Sequence, residues 1–438
     1  MQTGRELIRF ITESPTCFQA VESAQRRLRE SGFTLLSETE RWELVPGGRY
    51  MVTRNQSSLI AFVLPEKPAE GFLIGAAHSD SPTFRVKPLC ELPTNDHYIR
   101  LDTEPYGGGI YASWMDRPLS VAGRILVETP RGIEARLVCV DHDLMVIPRV
   151  AIHMDRKVNE GVPVNAHADM LPLLSGTSGA GSFRRILAEA AGVDEAQILS
   201  TDLFLYNRTP GMLWGEKEEY VSAPRLDDLQ CAFALLEGFR QAERPESMIP
   251  VYALFDNEEV GSLTKQGADS TFLADVLHRA AASCGADEED MLRMTAASFL
   301  VSADNAHAVH PSHPEYADPL NRVWMNGGIV IKYNGNQKYT SDGLSEAVFR
   351  AVCRRAKVPV QTYTNRSDLP GGSTLGNLSN RHVSVRAVDI GLAQLSMHSC
   401  YETAGAKDTE DLIRVMKEYY GSELHTAADG SVCLPERS

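Results

Sequence analysis

The chain has 438 residues, 43% hydrophobic and 23% charged, with a formal net charge of −15. That length exceeds what one hydrophobic core comfortably organises, so two domains are expected, within an ordinary globular composition. The acidic balance and the lack of any Lys/Arg run argue against a nucleic-acid binder, and no stretch approaches 18 uncharged apolar residues, so no membrane span is expected. The opening Met1-Gln-Thr-Gly-Arg5-Glu-Leu-Ile-Arg9 carries charges and lacks a long apolar run, which is not the pattern of a secretory signal. Eight cysteines are scattered through the chain without a C-x-x-C pair, and reduced thiols in a cytoplasm are expected.

Residues 4–31 read as two helices broken at Ser14-Pro15-Thr16. Phe18, Val21, Ala24 and Leu28 lie near one face, and Gly32 is placed to stop the second helix. Arg41 to Pro65 predicts a hairpin around Pro46-Gly47-Gly48. Gly71-Phe-Leu-Ile-Gly-Ala-Ala-His78 is a short continuous apolar run, suited to a parallel strand buried on both faces. His78 and Asp80 then stand where that strand should end, which is where open α/β sheets bind ligands. Two apart in extended backbone, they point to the same side. Either one ligates a metal while the other orients it, or both ligate; alone, the pair also reads as a loop histidine beside a turn.

After Pro88 the character changes. Residues 91 to about 220 show short strands and many turns, with a hairpin about Pro130-Arg131-Gly132 and little helical pattern before about 181–190. This segment is read as a β-rich domain inserted into an α/β host. From Ala223 the α/β pattern returns. Leu229, Ala232, Phe233, Leu236 and Phe239 fall at helical spacing after Asp227-Asp228. Val251–Phe255 is a second buried strand, followed by Asp256-Asn-Glu258-Glu259. Ala297–Ala303 is a third, followed by Asp304, and Ala387–Gly391 a fourth, followed by a loop reaching His398.

Several strands thus end in Asp, Glu or His. Each such residue alone is most simply a cap, a solvated loop acid or a core histidine. Together, His78, Asp227, Glu258, Glu259, Asp304 and His398 form a set whose imidazoles and carboxylates suit zinc, or manganese or cobalt, better than calcium. Five ligands exceed one tetrahedral zinc and fit two metals sharing a bridging carboxylate. Of the neighbours Glu258 and Glu259, one can bind metal while the other takes a proton from water.

The chain resembles the aspartyl aminopeptidases, cytosolic dinuclear zinc exopeptidases, over essentially its full length. The resemblance rests on five motifs in order: Ala77-His78-Ser-Asp80-Ser-Pro82, Ala223-Pro-Arg-Leu-Asp227-Asp228, Phe255-Asp-Asn-Glu258-Glu259-Val-Gly261-Ser262, Ser302-Ala-Asp304-Asn-Ala-His307-Ala-Val-His310-Pro311 and Gln394-Leu-Ser-Met-His398-Ser399. It implies that His78 and Asp304 ligate one metal, Glu259 and His398 the other, with Asp227 as the bridge. It implies Glu258 as general base and Asp80 as the partner that orients the site. His153 matches a histidine of the inserted domain that reaches a neighbouring subunit's site, and His307, Lys332 and Tyr339 match substrate-holding residues. Lys332 could pair with an acidic side chain; read alone, it is a strand-end lysine reaching for water.

Two glycine-rich stretches, Gly107-Gly108-Gly109 and Pro370–Gly376, lack the residues of a phosphate-binding loop. The first reads as a plain loop and the second as a possible lining of the site.

The expected architecture is therefore α/β: a three-layer α/β/α zinc-peptidase catalytic domain (1–90 and 221–438) with an inserted β-rich dimerisation domain (91–220). The expected function is a metal-dependent aminopeptidase that releases an N-terminal residue, preferably Asp or Glu, from peptides by attack of metal-activated water. By resemblance it assembles as a homo-oligomer, a dodecamer, in the cytoplasm. The alternatives are a broad-specificity aminopeptidase on the same dinuclear site, or a catalytically idle metal-binding assembly protein.

Overall fold

A computed structural model describes residues 2–161 and 163–435. Its centre is a nine-stranded sheet. In spatial order the strands are Thr34–Leu36, Arg49–Arg54, Ser58–Val63, Met248–Phe255, Gly71–His78, Phe299–Ala303, Arg386–Gly391, Ile329–Tyr333 and Val360–Thr364. The four strands from Met248–Phe255 to Arg386–Gly391 run parallel. All eight residues of Gly71–His78 and of Met248–Phe255 are buried, as continuous apolar runs covered on both faces require.

Alternate residues of these strands enter two separate cores. Leu73, Ala77, Tyr252, Leu254 and Val301 face the helices Gln2–Thr12, Cys17–Glu30, Leu226–Gln241, Gly343–Arg355 and Ala406–Tyr420. Phe72, Ile74, Ala76, Val251, Ala253 and Leu300 face Phe272–Ser283, Glu288–Ala297 and the short Leu375–Ser379. That period-two division makes the three-layer α/β/α arrangement expected from the sequence. No helix among the described residues is long and apolar enough to cross a membrane.

A six-stranded antiparallel sheet forms the β-rich part. Its order is Gly132–Cys139, Leu119–Thr129, Ile198–Asn207, Thr83–Thr94, Tyr98–Tyr106 and Leu173–Gly176. It has its own core, including Phe84, Trp114, Val121, Phe183 and Leu203. Thr83–Thr94 crosses residue 91 as one continuous strand. A third sheet borders the site, in the order Met212–Trp214, Tyr220–Ala223, Glu402–Gly405, Ala393–Leu395 and Ala306–His307.

One local expectation is corrected. The hairpin within residues 41–65 turns not at Pro46-Gly47-Gly48 but at Asn55-Gln56, between Arg49–Arg54 and Ser58–Val63. Both turn residues have positive φ, 58° and 59°. Paired left-handed residues match the twist of a tight hairpin, and asparagine tolerates that conformation well.

Candidate metal centre

Strand register brings the acidic and imidazole groups to one edge. His78 stands opposite Phe255 in the parallel pair, and Ser302 stands opposite Ala76 on the other side. The chain therefore leaves the sheet at neighbouring points into Ser79-Asp80, Asp256–Glu259 and Asp304. Asp227 and Asp228 sit at the entrance of Leu226–Gln241 with non-helical backbone angles, ahead of the regular turns whose Leu229, Ala232, Phe233 and Leu236 enter the core. His398 lies on the loop after Ala393–Leu395, at φ 65°.

The two imidazoles are set in the same way. His78 Nδ1 is 3.1 Å from the Asp80 carbonyl oxygen, and His398 Nδ1 is 2.8 Å from that of Gly108. A carbonyl only accepts, so each Nδ1 carries a proton, which leaves Nε2 as the nitrogen that each ring can offer to a metal once it gives up its second proton. His78 Nε2 faces Asp227 Oδ1 at 3.4 Å and Asp304 Oδ1 at 4.0 Å. His398 Nε2 faces Asp227 Oδ2 and Glu259 Oε2, each at 3.5 Å. Asp227 thus turns one oxygen toward each imidazole. His78, Asp227 and Asp304 form one group of potential ligands, and Asp227, Glu259 and His398 a second. A further group joins His78, Glu258 and Glu259.

These separations are too long for good hydrogen bonds. They match two donors on one ion: ligands about 2.0–2.2 Å from a tetrahedral zinc stand roughly 3.4 Å apart. Asp227 Oδ1 and Glu259 Oε1 are buried with no hydrogen-bond partner among the described residues. Negative charge is also in excess. Burial, helped by Asp304, Asp80 and Asp227 and opposed by His78, pushes Glu258 up to about 8. Burial and the charge of Asp227 raise Glu259 well above the carboxylate range. Burial alone would raise Asp227, but the facing imidazoles of His398 and His78 hold it low. Crowded carboxylates, orphaned oxygens and two imidazole Nε2 atoms aimed at them fit a pair of divalent cations, with zinc suited to the mixed N/O set.

Asp80 organises the acidic turn. Its Oδ1 accepts from Glu258 N at 3.1 Å, and its Oδ2 accepts from Glu259 N at 3.2 Å and from the Tyr106 hydroxyl at 2.7 Å. Asn257, left-handed at φ 62°, donates through Nδ2 to the same hydroxyl at 2.8 Å. Lys332 is 2% exposed, lies 3.4 Å from Asp304 Oδ2, donates to the Asn305 carbonyl at 3.0 Å and sits over the Tyr339 ring. His307, on the short Ala306–His307 strand, is close enough to Lys332, Asp227 and His398 to feel their charges. His153 lies on an exposed turn and belongs to none of the ligand groups.

Four contributors carried no signal that the sequence reading used. Asp228 Oδ2 accepts the His78 backbone N–H at 3.1 Å. The others are the Gly108 carbonyl, the Tyr106 hydroxyl and the Glu402 carboxylate, which accepts from Asp227 N and His398 N. Asp228 stood inside a quoted motif, and Gly108 inside the glycine-rich stretch read as a plain loop. The rest act through backbone groups or across long sequence separations.

Residues 10–420 match the model of the family described as aminopeptidase I zinc metalloprotease (M18). A probable M18 family aminopeptidase 2 of Clostridium novyi is 44% identical over 425 residues, spanning 95% of this chain and 98% of that one. Among solved structures, one from the complex of Ape4 with Nbr1 is 36% identical with TM-score 0.91, covering 96% of this chain and 85% of that one. The S. cerevisiae mApe1 dodecamer is 27% identical with TM-score 0.84, covering 95% and 96%.

Proposed function

The chain belongs to the M18 family of zinc aminopeptidases, and from that premise we propose that this dinuclear metal-dependent aminopeptidase removes N-terminal residues from peptides without a strict demand for an acidic one. The carrying observation is the pair of ligand groups that share Asp227. Two divalent ions held there supply Lewis acidity toward a scissile carbonyl and lower the pKa of water.

We assign His78 and Asp304 to one ion, Glu259 and His398 to the other, and Asp227 to both. Glu258 stands beside both groups and is assigned the proton transfer from attacking water to leaving amine. Asp80 positions it by holding its backbone N–H. His307 and Tyr339 are assigned to substrate contact.

Breadth of specificity is favoured because Lys332, the buried cation nearest the cluster, is already engaged by Asp304 and the Asn305 carbonyl. None of the relatives described above is named for an acidic residue. The second reading is a preference for Asp or Glu; it is favoured by the placement of Lys332 and His307 at the same site as the ligand groups. Hydrolysis of Asp-, Glu-, Leu- and Ala-peptides, before and after chelation and with each metal added back, separates the two. Leucyl turnover comparable to aspartyl supports the broad reading; turnover confined to acidic residues overturns it. Metal-independent turnover overturns both.

Assembly as a dodecamer, like that of mApe1, is also proposed, with His153 of one copy reaching a neighbour's site. The stretch around His153 exposes Val150, Ile152 and Met154, the last 83% accessible, which suits a protein interface. The division into residues 1–90 with 221–438 and an insert of about 91–220 belongs to the same proposal. So does a cytoplasmic location, in keeping with eight free cysteines.

A further inference from the structure

Glu402 belongs to none of the ligand groups found among the described residues, yet it holds two ligand-bearing loops. It opens the strand Glu402–Gly405 and is 2% exposed. Its Oε2 accepts from the Asp227 backbone N–H at 3.0 Å, and its Oε1 accepts from the His398 backbone N–H at 2.8 Å. The strand it opens lies between the two that lead to those loops. Tyr220–Ala223 pairs with it on one side, Ala223 opposite Glu402, and runs on to Asp227. Ala393–Leu395 pairs on the other side and runs on to His398.

We propose that Glu402 is a positioning residue that sets the distance between Asp227 and His398, and so the affinity for the ion they share with Glu259. The inference rests on the paired-ion reading above. The chemistry calls for a carboxylate: two N–H donors from different loops need two acceptors and no donor. Glutamine has the shape but turns an N–H toward one of the two amides. Aspartate keeps the charge but is one methylene short of spanning both.

The effect is unequal between the ions. The group Asp227, Glu259 and His398 has two of its three loops tied to Glu402. The group His78, Asp227 and Asp304 has one, since His78 is held by Asp80 and Asp228, and Asp304 by Lys332. One ion should therefore weaken much more than the other.

The test titrates zinc into the full-length apoprotein against a competing chromophoric chelator. The wild type should take up two ions. Glu402→Gln should take up one with nearly unchanged affinity and the other about 10–100-fold more weakly, the usual scale for losing a group that orients a ligand. Glu402→Asp should shift the same ion in the same direction and serves if the glutamine variant does not fold. Asp408→Asn is the matched control: Asp408 is fully buried and accepts two backbone N–H groups, from Asn326 and Gly328, neither of which belongs to a ligand group. It should lower the melting temperature without changing either zinc affinity. Wild-type affinities in Glu402→Asp or Glu402→Gln, or equal weakening by Asp408→Asn, overturn the inference. A wild-type chain that takes up a single ion overturns the paired-ion reading, and this inference with it.

Discussion

Replacing Asp80 with asparagine should slow turnover while leaving substrate affinity nearly intact. The carboxylate accepts three hydrogen bonds, from the amides of Glu258 and Glu259 and the hydroxyl of Tyr106, and its Oδ1 also lies 3.4 Å from His78 Nδ1. The asparagine oxygen can replace one carboxylate oxygen only. Its best placement keeps Glu259 and Tyr106 and turns an N–H against the Glu258 amide. A buried donor left unpaired costs about 1–3 kcal/mol. If that cost appears as displacement of Glu258 from its working position, at about 1.4 kcal/mol per factor of ten the rate falls roughly 10–100-fold. Steady-state kinetics on a peptide substrate in zinc-saturated buffer, with metal content measured on the same samples, reads the effect. kcat should fall within that range, KM should barely move, and two ions should remain. Tyr106→Phe removes only one of the three donors and should fall between wild type and Asp80→Asn. An Asp80→Asn enzyme with full kcat would refute the claim that this clamp places Glu258.

Glu258→Gln should keep two ions and lose about 10²–10⁴-fold in kcat, and normal turnover would show the base to be another residue. Chelation should abolish activity and lower the melting temperature, because an ion at about 100 times its Kd stabilises the folded chain by about 2.7 kcal/mol; a melting curve indifferent to chelator would count against ions bound at this buried site. Lys332→Met leaves Asp304 without its buried cation and should destabilise the apoprotein by about 3–5 kcal/mol, read by denaturant unfolding. His153→Ala should retain two ions per chain but lose kcat/KM in the assembled enzyme; unchanged kinetics would remove His153 from the site.

The four parallel strands at the middle of the central sheet were legible because they are largely apolar runs, whereas the half-exposed edge strands Thr34–Leu36 and Val360–Thr364 carried no such signal. Gly71–His78 and Met248–Phe255 have no solvent-facing side, so composition alone marks them as buried twice over. The candidate ligands were legible because they sit directly after such runs, where strand direction gathers them. The hairpin turn was misplaced for a physical reason: Gly47-Gly48 is the stronger compositional break, whereas Asn55-Gln56 shows its turn only once both residues are seen at positive φ. The tethers were illegible for another reason. Glu402 binds amides of Asp227 and His398, and an amide is the same group in every residue except proline, so no letter in the sequence announces the contact.

Both imidazoles owe their orientation to peptide carbonyls, those of residues 80 and 108. A side chain can be deleted by a single codon change; a carbonyl cannot. For His398 the choice of which ring nitrogen faces the metal side is thus shielded from point mutation and vulnerable only to shifts in the path of the main chain, whereas His78 Nδ1 also lies 3.4 Å from the Asp80 carboxylate. Insertions or deletions near Gly107–Gly109 are accordingly the changes to which the second histidine should be least tolerant.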